Sequence, residues 1–131
     1  MLKKINIKTS ARVEFSDITS LVQKAVKDSG AESGICCVFV PHTTAGVTIN
    51  ENADPSVQED IIKEINKIIP FSDSYSHLEG NSAAHIKASF FGASENIIIE
   101  NGGLCLGTWQ GIYFCEFDGP RSRSFYVKII G

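Results

Sequence analysis

Four strand-forming segments follow one another from residue 95 to the C-terminus with no helix between them, and this succession limits the fold more than any other feature of the chain. Glu95–Glu100, built on Ile97, Ile98 and Ile99, leads to Leu104–Leu106, Ile112–Phe117 and Ser124–Ile130. The turns between them carry Asn101-Gly102-Gly103, Gly107, Gly111 and Asp118-Gly119-Pro120. A parallel α/β sheet needs a regular alternation of strands and helices, so this order points to antiparallel sheets.

The first half supplies the helices. Residues 3–8 alternate, Ile5 and Ile7 against Lys4, Asn6 and Lys8, which is the period of a half-buried strand. Ser16 or Asp17 then caps a helix with Ile18, Leu21, Val22, Ala25 and Val26 on one face, stopped by Gly30. Ile35–Val40 is a nearly continuous apolar run, read as a central strand covered on both faces and closed by Pro41. Val47 and Ile49 alternate with Thr48 and Asn50 in a second strand, which forms a hairpin with the first and carries His42 at one end. Asp54 and Pro55 open a second helix with a buried stripe of Val57, Ile61, Ile62, Ile65, Ile68 and Ile69, ended by Pro70. After a polar loop over residues 71–82, Asn81 or Ser82 caps a short third helix through Ser89. The expected architecture is α+β: sandwich-like antiparallel sheets, two main helices and one short helix packed outside, in a single domain over residues 1–131.

Composition narrows the partners. A net charge of -3, with 21% charged and 43% hydrophobic residues, offers no basic field for a phosphate backbone, so no nucleic-acid partner is expected. No apolar run reaches membrane-spanning length and the N-terminus has no signal-peptide core, so the chain is expected in the cytoplasm. The four cysteines form no C-x-x-C pair, and Cys36 and Cys37 point to opposite faces of a strand. They read as buried free thiols.

Chemistry concentrates in H-L-E-G-N-S-A-A-H-I-K-A-S-F-F-G, residues 77–92, where polar side chains around Gly80 run straight into an apolar segment. With His42, the two histidines here are the only three in the chain. Three imidazoles suit zinc, nickel or iron and leave a position open for water, so His42, His77 and His85 are the candidate metal ligands. Glu51 and Glu79 are the candidate acid/base residues, Glu51 alternatively an oxygen ligand for magnesium. Asp54 reads first as a helix cap. Trp109, between Gly107 and Gly111, offers a flat wall for an aromatic ligand or an indole packed in the core or a subunit interface, with Gln110 as a polar neighbour. Arg121 and Arg123 suit a phosphate or carboxylate, or simply a solvated turn.

The phrases P-H-T-T-A-G-V-T-I-N-E-N-A-D-P, H-L-E-G-N-S-A-A-H-I-K-A-S-F-F-G and G-L-C-L-G-T-W-Q-G-I-Y-F-C-E-F-D, in this order, resemble the YjbQ-type family, whose members are often labelled secondary thiamine-phosphate synthases. The resemblance implies a compact α+β domain, a homotrimer, and a site built on His42, His77 and His85. It implies a metal-binding enzyme that joins a hydroxymethylpyrimidine diphosphate to a thiazole phosphate. Glu51, Asp54 and Glu79 would then offer oxygens to magnesium, and Asn50, Asn81, Trp109, Gln110 and Arg121 would contact the small-molecule substrate. The alternatives are a metal-dependent hydrolase and a non-catalytic module in which the open coordination position captures a small anion.

Overall fold

The computed structural model describes residues 1–131 and is α+β, with two antiparallel sheets and three helices. The elements are β1 (Leu2–Lys8), β2 (Glu14–Asp17), α1 (Thr19–Ser29), β3 (Ser33–Phe39), β4 (Ala45–Glu51), α2 (Pro55–Ile68), α3 (Ser82–Phe91), β5 (Ser94–Glu100), β6 (Gly103–Leu104), β7 (Gln110–Glu116) and β8 (Ser122–Ile130). One sheet has the order β1-β8-β3-β5-β6 and the other β2-β7-β4.

The alternation read from the sequence decides what faces the core. Cys36, Val38, Ile97, Ile99, Phe125, Val127 and Ile129 point from the larger sheet onto Val47, Ile112 and Phe114 of the smaller one. Helix α1 adds Val22, Ala25 and Val26 to the same cluster. The other face of β7 presents Tyr113 and Cys115, with Phe117 just beyond the strand, to Ala84 and Ala88 of α3. The short third helix is therefore a structural layer over the small sheet. Its sides match in size: alanines let the helix approach while the aromatic rings of Phe15, Phe91 and Phe117 fill the edges.

Several expectations are corrected. Glu14–Asp17 is a strand paired with β7, so α1 starts later, at Thr19. Asp17 still serves that start, its Oδ1 accepting from the Thr19 backbone N–H and hydroxyl at 2.9 and 2.6 Å. β3 and β4 form no hairpin. β3 pairs with β5 and β8 while β4 pairs with β7, because the Val40 N–H donates to Ala93 and the proline after it has no N–H with which to prolong the ladder. Nor is β3 covered on both faces: Phe39 is 44% exposed and Ile35 also faces solvent. Leu104–Leu106 shrinks to a two-residue strand. In α2 the apolar stripe is only half-buried, Ile69 just beyond it is buried, and Ile68 is 71% exposed. The Asp54 cap on that helix does form, Oδ1 accepting from the Ser56 N–H at 2.9 Å. Of the thiols, Cys36 and Cys115 are buried, Cys37 is half-buried and Cys105 exposed, all of them free.

Candidate functional site

β1 and β8 lie directly opposite each other with Lys4, Asn6 and Lys8 across from Tyr126, Ser124 and Ser122. These residues share the outward face, since the alternate residues Ile5, Ile7 and Phe125 join the core. Beside them β3 has ended at Phe39, and His42 stands next to Ser124 where a neighbouring strand would have continued. Its Nε2 is 3.1 Å from both the backbone oxygen and the backbone nitrogen of Ser124. Lys4, Asn6, Lys8, His42, Ser122, Arg123 and Ser124 line a hollow of about 550 Å³ together with Ile7. That volume is within the range of small-molecule sites.

Arg123 is the best-supported cation of the hollow. It is buried, and Glu116, also buried, holds it through Nε to Oε1 at 2.8 Å and Nη2 to Oε2 at 2.5 Å. Nη2 also donates to Thr44 Oγ1 at 2.8 Å, which leaves Nη1 without a protein partner. The remaining lone pairs of Glu116 accept from the Thr9 hydroxyl at 2.7 Å and the Asp118 N–H at 3.0 Å. Burial alone would push the Glu116 carboxyl up, but Arg123, Thr9 and the Asp118 N–H outweigh it and hold the group below the usual carboxylate range. The turn below fits only glycine at 119, because a Cβ there would stand 2.3 Å from the Ala11 carbonyl oxygen. His42 is lowered from its ordinary value, first by burial and then by the positive charge of Arg123. Its imidazole is neutral at physiological pH.

The three histidines do not surround one point. His42 lines the cationic hollow, and it also lines a second one with Thr43, His85 and Ser89. His85 in turn lines a third with His77, Tyr75, Ser76 and Ser82. The rings of His77 and His85 meet edge to face at 5.5 Å between centroids, and His77 Nε2 is 3.8 Å from an oxygen of Glu79. Nowhere do three His, Cys, Asp or Glu side chains converge so as to hold a metal ion. The imidazoles are strung along the surface, and the one nearest the cations already spends Nε2 on the Ser124 backbone.

The other candidates fall outside the cationic hollow. Glu51 lies at the end of β4, where its carbonyl accepts from the side-chain amide of Gln58 and from the Tyr113 hydroxyl. Asn50 Oδ1 is used by the Glu51 N–H at 2.7 Å. Asn81 donates through Nδ2 to Asp118 at 3.0 Å, while its Oδ1 is buried with no partner. Trp109 is 63% exposed on a turn that Gln110 closes by accepting from the Gly107 N–H at 2.8 Å. Arg121 is bound to Asp118 through Nε and Nη2 at 2.8 and 3.0 Å. Sequence reasoning missed Lys4, Asn6, Lys8, Ser122 and Ser124 as a site. The signal for the first three was present in the alternation of β1, but their convergence on His42 depends on the pairing of β1 with β8, 120 residues later in the chain.

The family model for "UPF0047 protein YjbQ-like" matches residues 3–131. The chain belongs to the YjbQ family. A UPF0047 protein of Methanocaldococcus jannaschii is 58% identical over 131 residues, spanning 100% of this chain and 95% of the relative. UPF0047 protein YugU of Bacillus subtilis is 52% identical over 132 residues, spanning 100% of both. Among solved structures, a YjbQ/UPF0047 family protein of Clostridium acetobutylicum is 60% identical, with a TM-score of 0.96 over 98% of this chain and 99% of that one. A Sulfolobus solfataricus protein, 37% identical with a TM-score of 0.96 over 100% and 96% of the two chains, is described as YbjQ-like and of unknown function. The YjbQ relationship and the α+β fold thus stand as the sequence motifs implied. The activity does not. None of these relatives carries a synthase's name, and the YjbQ chain converges no metal-binding group, so the expected metal-binding, thiamine-phosphate-synthase-like transferase is withdrawn. The metal-dependent hydrolase and the anion module built on an open coordination position need the same absent ligand set and are withdrawn with it. No helix of this YjbQ protein is long and apolar enough to cross a membrane.

Proposed function

We propose that the protein binds a small phosphate-bearing organic molecule directly through side chains, in the hollow between β1, β8 and His42. The observation that carries this reading is that Lys4, Lys8 and Arg123 line one concavity in a chain of net negative charge. Cations gathered against the trend of the whole molecule suit an anionic ligand, and Asn6, Ser122 and Ser124 add hydrogen-bonding groups between them. Guanidinium and ammonium groups differ in what they offer: Arg123 is held rigid by Glu116 and Thr44, whereas the lysines adapt to the ligand. A reducing, cytoplasmic setting agrees with four free cysteines.

Methyl phosphate titrated calorimetrically tests the reading. Lys4→Ala and Lys8→Ala are each expected to weaken binding about tenfold, the loss of one charge-assisted contact, and added salt should weaken the wild type. Equal affinity for wild type and the Lys4→Ala, Lys8→Ala double variant would refute it.

The partner we propose is a second and third copy of the same chain. The outward face of the larger sheet exposes Leu2, Ile35, Phe39, Ile98 (62%) and Ile130 (61%), too much apolar surface for an open sheet face. Lys128 on β8 and Glu100 on β5 stand exposed on either side of β3. Opposite charges across one patch favour head-to-tail docking that closes a ring. Light scattering is expected to give three times the 14.2 kDa chain mass, and Ile130→Glu to give monomers. A wild-type monomer would exclude this assembly.

A further inference from the structure

The face of the larger sheet that bears the cationic hollow bears an apolar one beside it. Leu2, Cys37, Phe39, Tyr126 and Lys128 line this second hollow, of about 460 Å³. They share the outward face, since the alternate residues Cys36, Val38, Phe125, Val127 and Ile129 are buried in the core. Register fixes where the hollow lies. Tyr126 stands directly across from Lys4, Lys128 from Leu2, and Phe39 from Tyr126 on the next strand. Lys4 lines the cationic hollow, and Leu2, two residues before it on β1, lines the apolar one. Ser124 and Tyr126 repeat the same step on β8. The two hollows are therefore neighbours, one step of about 7 Å apart along both strands.

Their linings contrast. Ile7 is the one aliphatic side chain of the first, and Lys128 the one charge of the second. Leu2 is 60% exposed and Phe39 44%, so this apolar surface stays in water until something covers it. We propose that the ligand of the cationic hollow is a phosphate monoester whose ester group is apolar and of aryl size, laid against Leu2, Phe39 and Tyr126. An aryl ring on the ester oxygen is long enough to make the step from Lys4 to the apolar hollow, and a methyl group is not. A polar group of the same length would give up hydrogen bonds to water against a wall that is mostly hydrocarbon. This inference rests on the phosphate reading of the cationic hollow. In the assembly of three copies, Ile35, Ile98 and Ile130 make the contact between chains, and Leu2, Phe39 and Tyr126 are kept for the ligand.

Calorimetric titration of the full chain at about pH 8, where phosphate monoesters are dianionic, compares methyl phosphate, glycerol 3-phosphate and phenyl phosphate. Phenyl phosphate is expected to bind about tenfold more tightly than methyl phosphate, the gain from covering one face of a ring, with glycerol 3-phosphate close to methyl phosphate. Phe39→Ser and Tyr126→Ser, on different strands, are each expected to bring the ratio of phenyl to methyl affinity close to one. A phenyl preference that survives both substitutions overturns the inference. So does phenyl phosphate binding no more tightly than methyl phosphate, or glycerol 3-phosphate gaining as much as phenyl phosphate; in each case the phosphate reading stands. No binding of any of the three overturns the phosphate reading and the inference with it.

Discussion

Glu116→Ala is expected to destabilise the protein by about 3–5 kcal/mol, the loss that follows when one partner of a buried ion pair is removed and the other charge stays behind. Glu116 accepts four hydrogen bonds, from Arg123 Nε and Nη2, the Thr9 hydroxyl and the Asp118 N–H, and its side chain is fully buried. Its deletion leaves the Arg123 guanidinium buried and unpaired on that side. The double change Glu116→Leu, Arg123→Met should recover most of the stability, because two apolar side chains can replace a buried pair at little net loss. It should also weaken the binding of methyl phosphate, which separates the structural use of the pair from its use in the hollow. The pH dependence has a definite sign. Since the folded carboxyl lies below its unfolded value, the contribution is present above the unfolded pKa of about 4.3 and disappears as pH falls through the folded one. Urea denaturation of the three proteins at neutral and acid pH measures all of this. A loss under about 1 kcal/mol for Glu116→Ala would show that the pair is not held as described.

The second large effect belongs to Lys87, on the face of α3 turned toward α2. Its side chain is fully buried, with Nζ 2.6 Å from Asn66 Oδ1 and 3.6 Å from the centroid of Phe71. The Arg12 guanidinium lies 3.6 Å from the same ring, and no carboxylate is within salt-bridge reach of either cation. Burial, and then the charge of Arg12, lower the Lys87 ammonium to about 8. Between that value and the unfolded value of about 10.4 the unfolded chain binds the extra proton, so stability rises with pH across this window, by roughly 3 kcal/mol in all. The thiols act in the opposite sense. Burial pushes Cys36 up to about 11 and Cys115 well above its ordinary value, so the folded chain keeps protons that the unfolded chain releases, and stability falls as pH rises past about 8.5. The difference between wild type and Lys87→Met cancels the thiols and isolates the lysine. That difference is expected to shift in favour of the wild type from pH about 8 upward. A flat difference curve would mean that Lys87 keeps its ordinary affinity for the proton and reaches water.

The elements that the sequence made legible are those governed by local rules. Asp54-Pro55 opens α2 because a side-chain acceptor and a proline ring act within one turn. The alternation of Ile5 and Ile7 with Lys4, Asn6 and Lys8 sorts β1 into two faces whatever it pairs with. Glu14–Asp17 was not legible as a strand, since so short a segment takes its form from β7 rather than from its own pattern. The stripe of α2 was read as core from its period alone, yet period shows only which residues share a face and not how much protein lies against it.

For the site the division is sharper. The sequence by itself determined the family, the α+β class, the strand faces, and that any imidazole chemistry must come from His42, His77 and His85. Tertiary structure alone decided that these three do not converge on one point, because β3 leaves its sheet at Phe39 and sets His42 beside Ser124, while His85 on α3 stands between the hollow it shares with His42 and the one it shares with His77. It also decided that Arg121 and Arg123, two residues apart, have unlike fates. Arg121 stays at the surface with Asp118, while Arg123 turns inward to Glu116 and lines the same hollow as the lysines of β1. The physical reason is common to both: the convergence of side chains is fixed by strand register between residues far apart in the chain, and register is settled by which faces can be buried together.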